Sequence, residues 1–256
     1  DNGQETFQLG VMTPPQSLPS AKPLPEERAV LLRILQVRLL ETPELRERAQ
    51  SLLVAEHYLG GVQAVGEQLH YAVTDAQGEW VAVLIFAAAA WHLRPRDRWI
   101  GWSNEQRRRR LALVANNVRF LLLPERTVPN LGSAVLSRVL AQLSTDWQAR
   151  YDHPILVVES FVDPERFQGT VYRASGWTEL GQTKGHGRTA RDYYEDHDRP
   201  KRLFVRELVR NARRTLQAEH LSAALAPVEA KVSVRSTLKA AELRPLAEHF
   251  REVPDY

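Results

Sequence analysis

The succession VRFLLLP (118–124), LGSAVLSRVLAQLSTDWQARY (131–151) and PILVVESFVD (154–163) constrains the fold most. It reads as an apolar strand, an amphipathic helix, and a second strand whose first half is apolar without alternation. Leu131, Val135, Val139, Leu140 and Leu143 share one helical face. A strand that is apolar on both sides must be covered on both, which is the habit of parallel pairing. Upstream, HYAVTD (70–75) and EWVAVLIFAA (79–88) flank the Gly-containing turn AQG and read as an antiparallel hairpin. Residues 26–60 carry Leu and Val at helical spacing, break at Thr42-Pro43 and stop at Gly60-Gly61, so two helices are expected there. The run LALVANN after Arg110 is apolar and compatible with a helix. Downstream, RFQGTVYRASG (166–176) reads as a short helix, WTELGQT (177–183) as a strand, and the segment from Lys201 as a strand that becomes a helix.

In this order of elements the chain resembles the GCN5-related N-acetyltransferase (GNAT) fold over residues 28–183. The expected fold class is therefore α/β, a GNAT-like mixed sheet flanked by helices, with helical N-terminal and C-terminal extensions. The resemblance implies that the loop before the central helix offers backbone N–H groups to an acyl-CoA pyrophosphate. That loop is ERTVPNLGSA (125–134), with one Gly where the family has a Gly-rich turn, and its anion-binding candidates are Asn130, Gly132 and Ser133. Residues 1–25, rich in Pro, Ser and Gln, are expected to be an extended arm, 26–215 the GNAT-like domain, and 216–256 a linker or the start of a further domain.

The absence of Cys excludes disulfides, thiolate nucleophiles and Cys-ligated metal centres. No stretch reaches the roughly 18 apolar residues of a membrane helix, and no export signal is seen, so a cytoplasmic protein is expected. The formal net charge is +3, but it is unevenly spread. Residues 91–126 hold nine Arg against three acids, and residues 184–214 hold ten Lys or Arg against five acids. Two basic zones on a nearly neutral body point to a directed contact with a polyanion, DNA above all.

RDRWIGWSNEQRRRR (96–110) carries eight charges and two Trp. On a helix the four arginines spread around a full turn, and Arg107 and Arg110 share the face that continues into Leu111 and Val114. Those two are expected at the core edge, as phosphate contacts or structural ion pairs, with Arg108 and Arg109 solvated. Trp99 and Trp102 either stack on bases or pack. Asn116, Asn117 and Arg119, a polar cluster just before a strand, are residue types that read bases or make a helix-end cap and a salt bridge, and Arg96 is a further nucleic-acid-binding candidate. KGHGR (184–188) is either an anion nest with Lys184 and Arg188 or a solvated turn. Among the acids, Glu159 and Asp163 lie four apart at a strand end, and Asp97 and Asp146 complete the catalytic candidates. Such carboxylates would hold Mg²⁺ for phosphodiester chemistry, or pair with neighbouring Arg. His57, before Tyr58-Leu59-Gly60 at a helix end, reads as a cap on carbonyls or a packed side chain.

A closer resemblance covers residues 50–215. HYLGG (57–61), RDRWIGWS (96–103), NNVRFLLLP (116–124), NLGS (130–133), DWQARY (146–151), ESFVD (159–163), FQGTVYRASGW (167–177) and GQTKGHGR (181–188) look, in this order, like the DruA-type domain of the Druantia anti-phage system. LKAAELRPLAEHFREVPDY (238–256) resembles the opening of H-repeat-associated DDE transposases, without their catalytic domain. The resemblances imply a DNA-binding or DNA-processing domain of a mobile element or defence system. The alternatives from other classes are a GNAT-like acyl-transfer enzyme with an anionic donor, and a non-catalytic scaffold for a protein partner.

Overall fold

The computed structural model describes residues 25–62, 66–183, 186–188, 194–196 and 199–230. At its centre are β4 (Val114–Leu122), α5 (Leu131–Tyr151) and β5 (Val157–Val162). The apolar residues expected on one face of α5 are all buried, together with Leu136 and Trp147. They pack on Tyr71, Leu84, Phe86 and Val158 of the sheet. At about 1.5–3 kcal/mol for each fully buried Leu or Val, this layer is a main source of stability.

β2 (Gln68–Thr74) and β3 (Trp80–Ala88) form the expected hairpin. Its turn is made by Asp75, whose carboxylate accepts the N–H groups of Gln77 and Glu79, each at 3.0 Å. With β1 (Gln36–Leu39), β6 (Thr178–Gln182) and β9 (Arg202–Glu207) they build a seven-stranded sheet of order β1-β2-β3-β4-β5-β9-β6. β4 and β5 are parallel, and the other neighbours are antiparallel. This is the GNAT-like mixed α/β sheet. A separate pair, β7 (His186–Arg188) with β8 (Tyr194–Asp196), lies between β6 and β9 in sequence.

Two local expectations are corrected. Residues 26–60 hold α1 (Pro25–Ile34), then β1, then α2 (Pro43–Glu56), not two helices alone. Gln36-Val37-Arg38-Leu39 alternates in exposure and pairs with Tyr71 to Thr74, so cross-strand pairing overrides local helical spacing. Likewise LALVANN is one 3₁₀ turn over Leu111–Leu113, and β4 begins at Val114 because Ala115, Asn116 and Asn117 find partners on β3.

α2 covers one face of the sheet, laying Ala49 and Leu53 on Ala72, Val83, Ile85 and Leu121. α5 and the short α6 (Thr170–Ala174) cover the other. α3 (Arg94–Ile100), α4 (Asn104–Arg110), α7 (Ala212–Gln217) and α8 (Ala226–Ala230) gather over the first residues of β4 and β5, where Ile100, Trp102, Val114, Val157 and Leu216 form a second cluster. Among the described residues, no helix is long and apolar enough to cross a membrane.

The parallel pair splits. β4 and β5 are in register from Val114↔Val157 to Asn117↔Ser160, and there the pairing stops although β4 runs on to Leu122. The cause lies on β4's other side, where Ile85 pairs with Arg119 and Phe86 with Asn117, leaving Val118 as a bulge. The Asn117 amide donates to the carbonyls of Ile85 (3.2 Å) and Arg119 (3.0 Å) across the irregularity. Val118 packs with the α2-side cluster, and Arg119 also turns to that side, reaching the carbonyl of Gly60.

Below the split, Gly169 has φ +73°, and a Cβ there would lie 2.3 Å from the Phe204 ring. Gly78, with φ +82°, has open space around it. Gly78→Ala is therefore expected to cost about 1–2 kcal/mol from backbone strain alone. Gly169→Ala adds a ring clash and should cost clearly more in urea unfolding.

Candidate functional site

Arginines 107–110 divide as the helical geometry requires. Arg107 and Arg110 are buried, and Arg108 and Arg109 are exposed. Ser103 and Gln106 start α4 with reciprocal capping bonds, Gln106 N–H to Ser103 Oγ at 3.1 Å and Ser103 N–H to Gln106 Oε1 at 2.8 Å. At the other end, Arg110 donates to the carbonyls of Leu216 (2.9 Å), Ala218 (2.6 Å) and Glu219 (3.1 Å) and to the Glu229 carboxylate (2.6 Å). These carbonyls close α7, where unpaired C=O groups and the helix dipole favour a cation. Arg110 is thus spent inside the protein, as a tie between α4, α7 and α8. Arg109 pairs with Glu105 one turn away at 2.9 Å.

RDRWIGWS builds a buried ion network. Arg96 and Glu159 are both fully buried. Arg96 Nη1 donates to Glu159 Oε2 at 3.0 Å and to the Ala90 carbonyl at 2.7 Å, while Glu159 Oε1 accepts the Ala90 N–H at 2.9 Å. Asp97 takes the Nε of Arg96 at 2.9 Å, the indole N–H of Trp102 at 3.0 Å and, at 3.4 Å, Arg107. Burial penalises the Arg96 charge, but Glu159 and Asp97 outweigh it and raise its pKa. Arg96 is therefore charged, while burial pushes the Glu159 carboxyl up against the pull of Arg96, and each member depends on the other.

This arrangement bears on the catalytic candidates. Asp97 and Glu159 are committed to arginines. Asp163 is elsewhere, its carboxylate accepting the Glu165 N–H at 3.0 Å and lying 3.8 Å from Arg166. Asp146 lies on α5, where it accepts the Tyr71 hydroxyl at 2.9 Å and the Gln142 amide at 3.1 Å. The four carboxylates do not converge. Among the described residues no three His, Asp or Glu side chains group as a metal site.

Arg96, Arg110 and Asn117 are buried with their donors turned inward, and Trp102 is buried with its N–H on Asp97. Trp99 is partly buried under the guanidinium of Arg213, 4.7 Å from the ring centroid. Gly132 abuts Val171, whose Cγ2 would lie 2.9 Å from an added Cβ, so close helix packing accounts for this glycine. Asn130 adopts left-handed φ at 69° without a side-chain cap bond, and Ser133 Oγ donates to its carbonyl at 3.1 Å. Lys184 lies outside the described residues, as do residues 1–24 and the segment 238–256. Arg188 falls on β7.

Two arrangements remain for function. The first is the cationic surface of α3, α4, α7 and the turn that leads into α7, where Arg98, Arg108, Arg214 and Arg210 respectively are exposed. The second is the mouth of the split. Its inner end is closed by Tyr172, whose hydroxyl donates to Asn117 Oδ1 and faces Ser160 Oγ, each at 2.9 Å. Burial pushes the Tyr172 phenol up to about 12. At the outer end Arg119 holds the HYLGG loop, donating to the carbonyls of Gly60 (3.0 Å) and Gly61 (2.7 Å). His57 is the C-cap of α2, its backbone N–H on the Leu53 carbonyl; its ring packs rather than caps, with Nδ1 accepting the Leu59 N–H at 3.1 Å and the ring stacked on Tyr58 at 4.9 Å. Tyr58, Tyr172, Ser160 and Lys201 were not among the sequence candidates, although Tyr58, Ser160 and Tyr172 lie in the motif words HYLGG, ESFVD and FQGTVYRASGW.

Removing one member of the buried pair strands the other. Glu159→Ala is expected to cost about 3–5 kcal/mol, and the apolar double substitution Arg96→Met with Glu159→Leu to recover most of it, measured by urea unfolding. Burial and Arg119 hold the His57 imidazole down from 6.5 to about 4. Between those pH values the unfolded chain takes up a proton that the folded chain refuses, so stability falls as pH drops through the window. In His57→Asn that part of the acid sensitivity disappears from the stability profile.

No curated protein matches the chain. Among solved structures, spermidine N-acetyltransferase from Vibrio cholerae in complex with CoA and spermine is similar at 11% identity and a TM-score of 0.45, covering 69% of this chain and 96% of that one. The spermidine/spermine N-acetyltransferase SpeG from Vibrio cholerae in complex with manganese ions is similar at 11% identity and a TM-score of 0.43, with 70% and 95% covered. The sequence model described as Druantia protein DruA matches residues 26–205, most of the chain. The chain belongs to the DruA family of the Druantia anti-phage system.

Proposed function

We propose that this chain is a DNA-binding domain of its defence system, and that DNA lies on the exposed arginines of α3, α4 and α7. The observation that carries the reading is that the two basic zones, far apart in sequence, meet. Arg213 of α7 lies over Trp99 of α3. Gln106 of α4 donates to the carbonyls of Gln217 (2.9 Å) and Ala218 (3.0 Å), and the Gln217 amide donates to the Ile100 carbonyl.

The charge on this face is mostly positive, with the exposed Glu219 just beyond α7 as an acid beside it. Asp97 is the acid of α3, and it is turned into the ion network; α7 carries no acid. Glu105 of α4 is matched by Arg109. Arg98, Arg108, Arg210 and Arg214 have no carboxylate partner among the described residues, so their charge is available to phosphates. Arginine is also suited to this task because its weakly hydrated fork binds phosphate in two directions. With Asp97 and Glu159 committed to arginines, the reading is of a domain that holds DNA by its backbone rather than of a carboxylate-based nuclease.

Phosphate contacts release counterions, so the affinity should fall steeply with salt. Replacing Arg98, Arg210 and Arg214 together by Gln is expected to weaken duplex binding by about tenfold or more at moderate salt and to flatten the plot of log affinity against log salt by up to about 2–3 in slope. Fluorescence anisotropy with a labelled duplex over a salt series checks this. A triple variant that binds as the wild type does, with the same slope, removes the face from consideration.

A further inference from the structure

Past Asn117 and Ser160, where the β4–β5 pairing ends, the mouth of the split gathers a set of side chains unrelated to the DNA face. Asp163 stands one residue beyond the end of β5. Arg166 approaches its carboxylate at 3.8 Å and lies over the Tyr58 ring at 5.1 Å. Tyr58 packs on Phe167 with ring centroids 5.4 Å apart, and Phe167 is 51% exposed. Lys201 enters from the start of β9, held by backbone bonds to Thr183, 2.8 Å through its carbonyl and 3.0 Å from its N–H to the Thr183 hydroxyl.

The charges do not balance. Among the described residues, Arg119, Arg166 and Lys201 face one carboxylate, Asp163. Arg119 spends its donors on the carbonyls of Val118, Leu59, Gly60 and Gly61. Those contacts fix its position without neutralising its charge. The Lys201 ammonium is partly buried and has neither an ion pair nor a side-chain hydrogen bond among the described residues. Burial, with Arg119 nearby, lowers its pKa despite Asp163. A partly desolvated ammonium without a partner is costly, and an incoming anion relieves that cost. Tyr58 and the open face of Phe167 add aromatic surface beside the cations, which suits a planar ring attached to the anion. The mouth is also where a sheet of this kind opens, outside the carboxyl ends of adjacent parallel strands.

We propose that the mouth of the β4–β5 split is a binding site for a nucleoside phosphate, with the phosphate at Lys201 and Arg166 and the base against Phe167 and Tyr58. The same chemistry is presented by a free nucleotide and by the phosphorylated end of a DNA strand. Both are separable from the arginine face, which requires no terminal phosphate.

The test is isothermal titration of the whole chain with AMP, adenosine and inorganic phosphate. AMP should bind, phosphate more weakly, and adenosine weakest of all. Lys201→Met should weaken AMP by about tenfold or more, as expected for loss of a charge-assisted contact, and Lys201→Arg should retain most of it. Phe167→Ala should weaken AMP and leave inorganic phosphate unchanged. Because Lys201 and Phe167 are not core residues, thermal melts of these variants should stay near the wild type. A 5′-phosphorylated oligonucleotide that competes with AMP, where its 5′-hydroxyl counterpart does not, identifies a DNA end as the ligand; AMP binding without such competition identifies a free nucleotide. Absence of AMP binding at millimolar concentration, or AMP binding indifferent to Lys201→Met, overturns the site. The triple Arg98, Arg210 and Arg214 variant should bind AMP normally, which keeps this outcome distinct from that of the DNA face.

Discussion

The buried pair between Arg96 and Glu159 is the contact on which the rest of the structure depends. Neither charge reaches water, so each is tolerable only while the other and the Ala90 backbone complete its shell. That requirement fastens the end of β3, the first turn of α3 and the middle of β5 to one another. Asp97 then extends the arrangement outward to Trp102 and Arg107, and so sets where α4 begins. From α4, Arg110 and Gln106 bind the carbonyls that end α7. The cationic face is the outer surface of this assembly, and its alignment follows from a pair that never touches solvent.

The second organising feature is a single residue of mismatch. With Val118 bulged, β4 presents Val118 and Arg119 in succession to the α2 side and bends away from β5. The gap exposes backbone that a regular sheet would have paired, and the polar residues there are placed to meet that need: Asn117 bridges the bulge, while Ser160 and Tyr172 close the inner end. Beyond them the opening is lined by charged and aromatic groups. The contrast follows depth, since the inner trio satisfies its own hydrogen bonds, whereas the Lys201 ammonium, farther out, has no hydrogen-bond partner among the described residues.

Much of this was legible in the sequence, for identifiable reasons. The hairpin, α5 and the split of the arginine run into Arg107 and Arg110 inside, Arg108 and Arg109 outside, all rest on periodicity, which is local information. β1 was hidden because Gln36 to Leu39 continues a helical spacing and becomes a strand only through its partner β2. The early start of β4 was hidden for the same reason. The capping signature Ser103-Asn104-Glu105-Gln106 was present and readable. For the site, residue type pointed to charge but not to its partner: Asp97 and Glu159 read equally well as metal ligands, and only tertiary structure brings Arg96 between them. Lys201 carried no signal, since its position at the mouth depends on β9 inserting between β5 and β6.

The two proposed surfaces occupy opposite ends of the same parallel strands. α4 and α7 pack where β4 and β5 begin, with Val114 and Val157 in their cluster, and Asp163 follows the last residue of β5. A strand of six residues spans about 20 Å at 3.3 Å per residue. Duplex DNA covers that distance in about six base pairs at 3.4 Å each. A DNA that runs from the arginines along the strands therefore reaches the mouth only if it extends some six base pairs past its last phosphate contact, and a shorter one engages the face alone. The separation also makes the two sites electrostatically distinct. It is about two Debye lengths at 0.1 M salt, so neutralising the face leaves the field at Lys201 largely unchanged, and coupling between the sites has to come from a ligand long enough to occupy both.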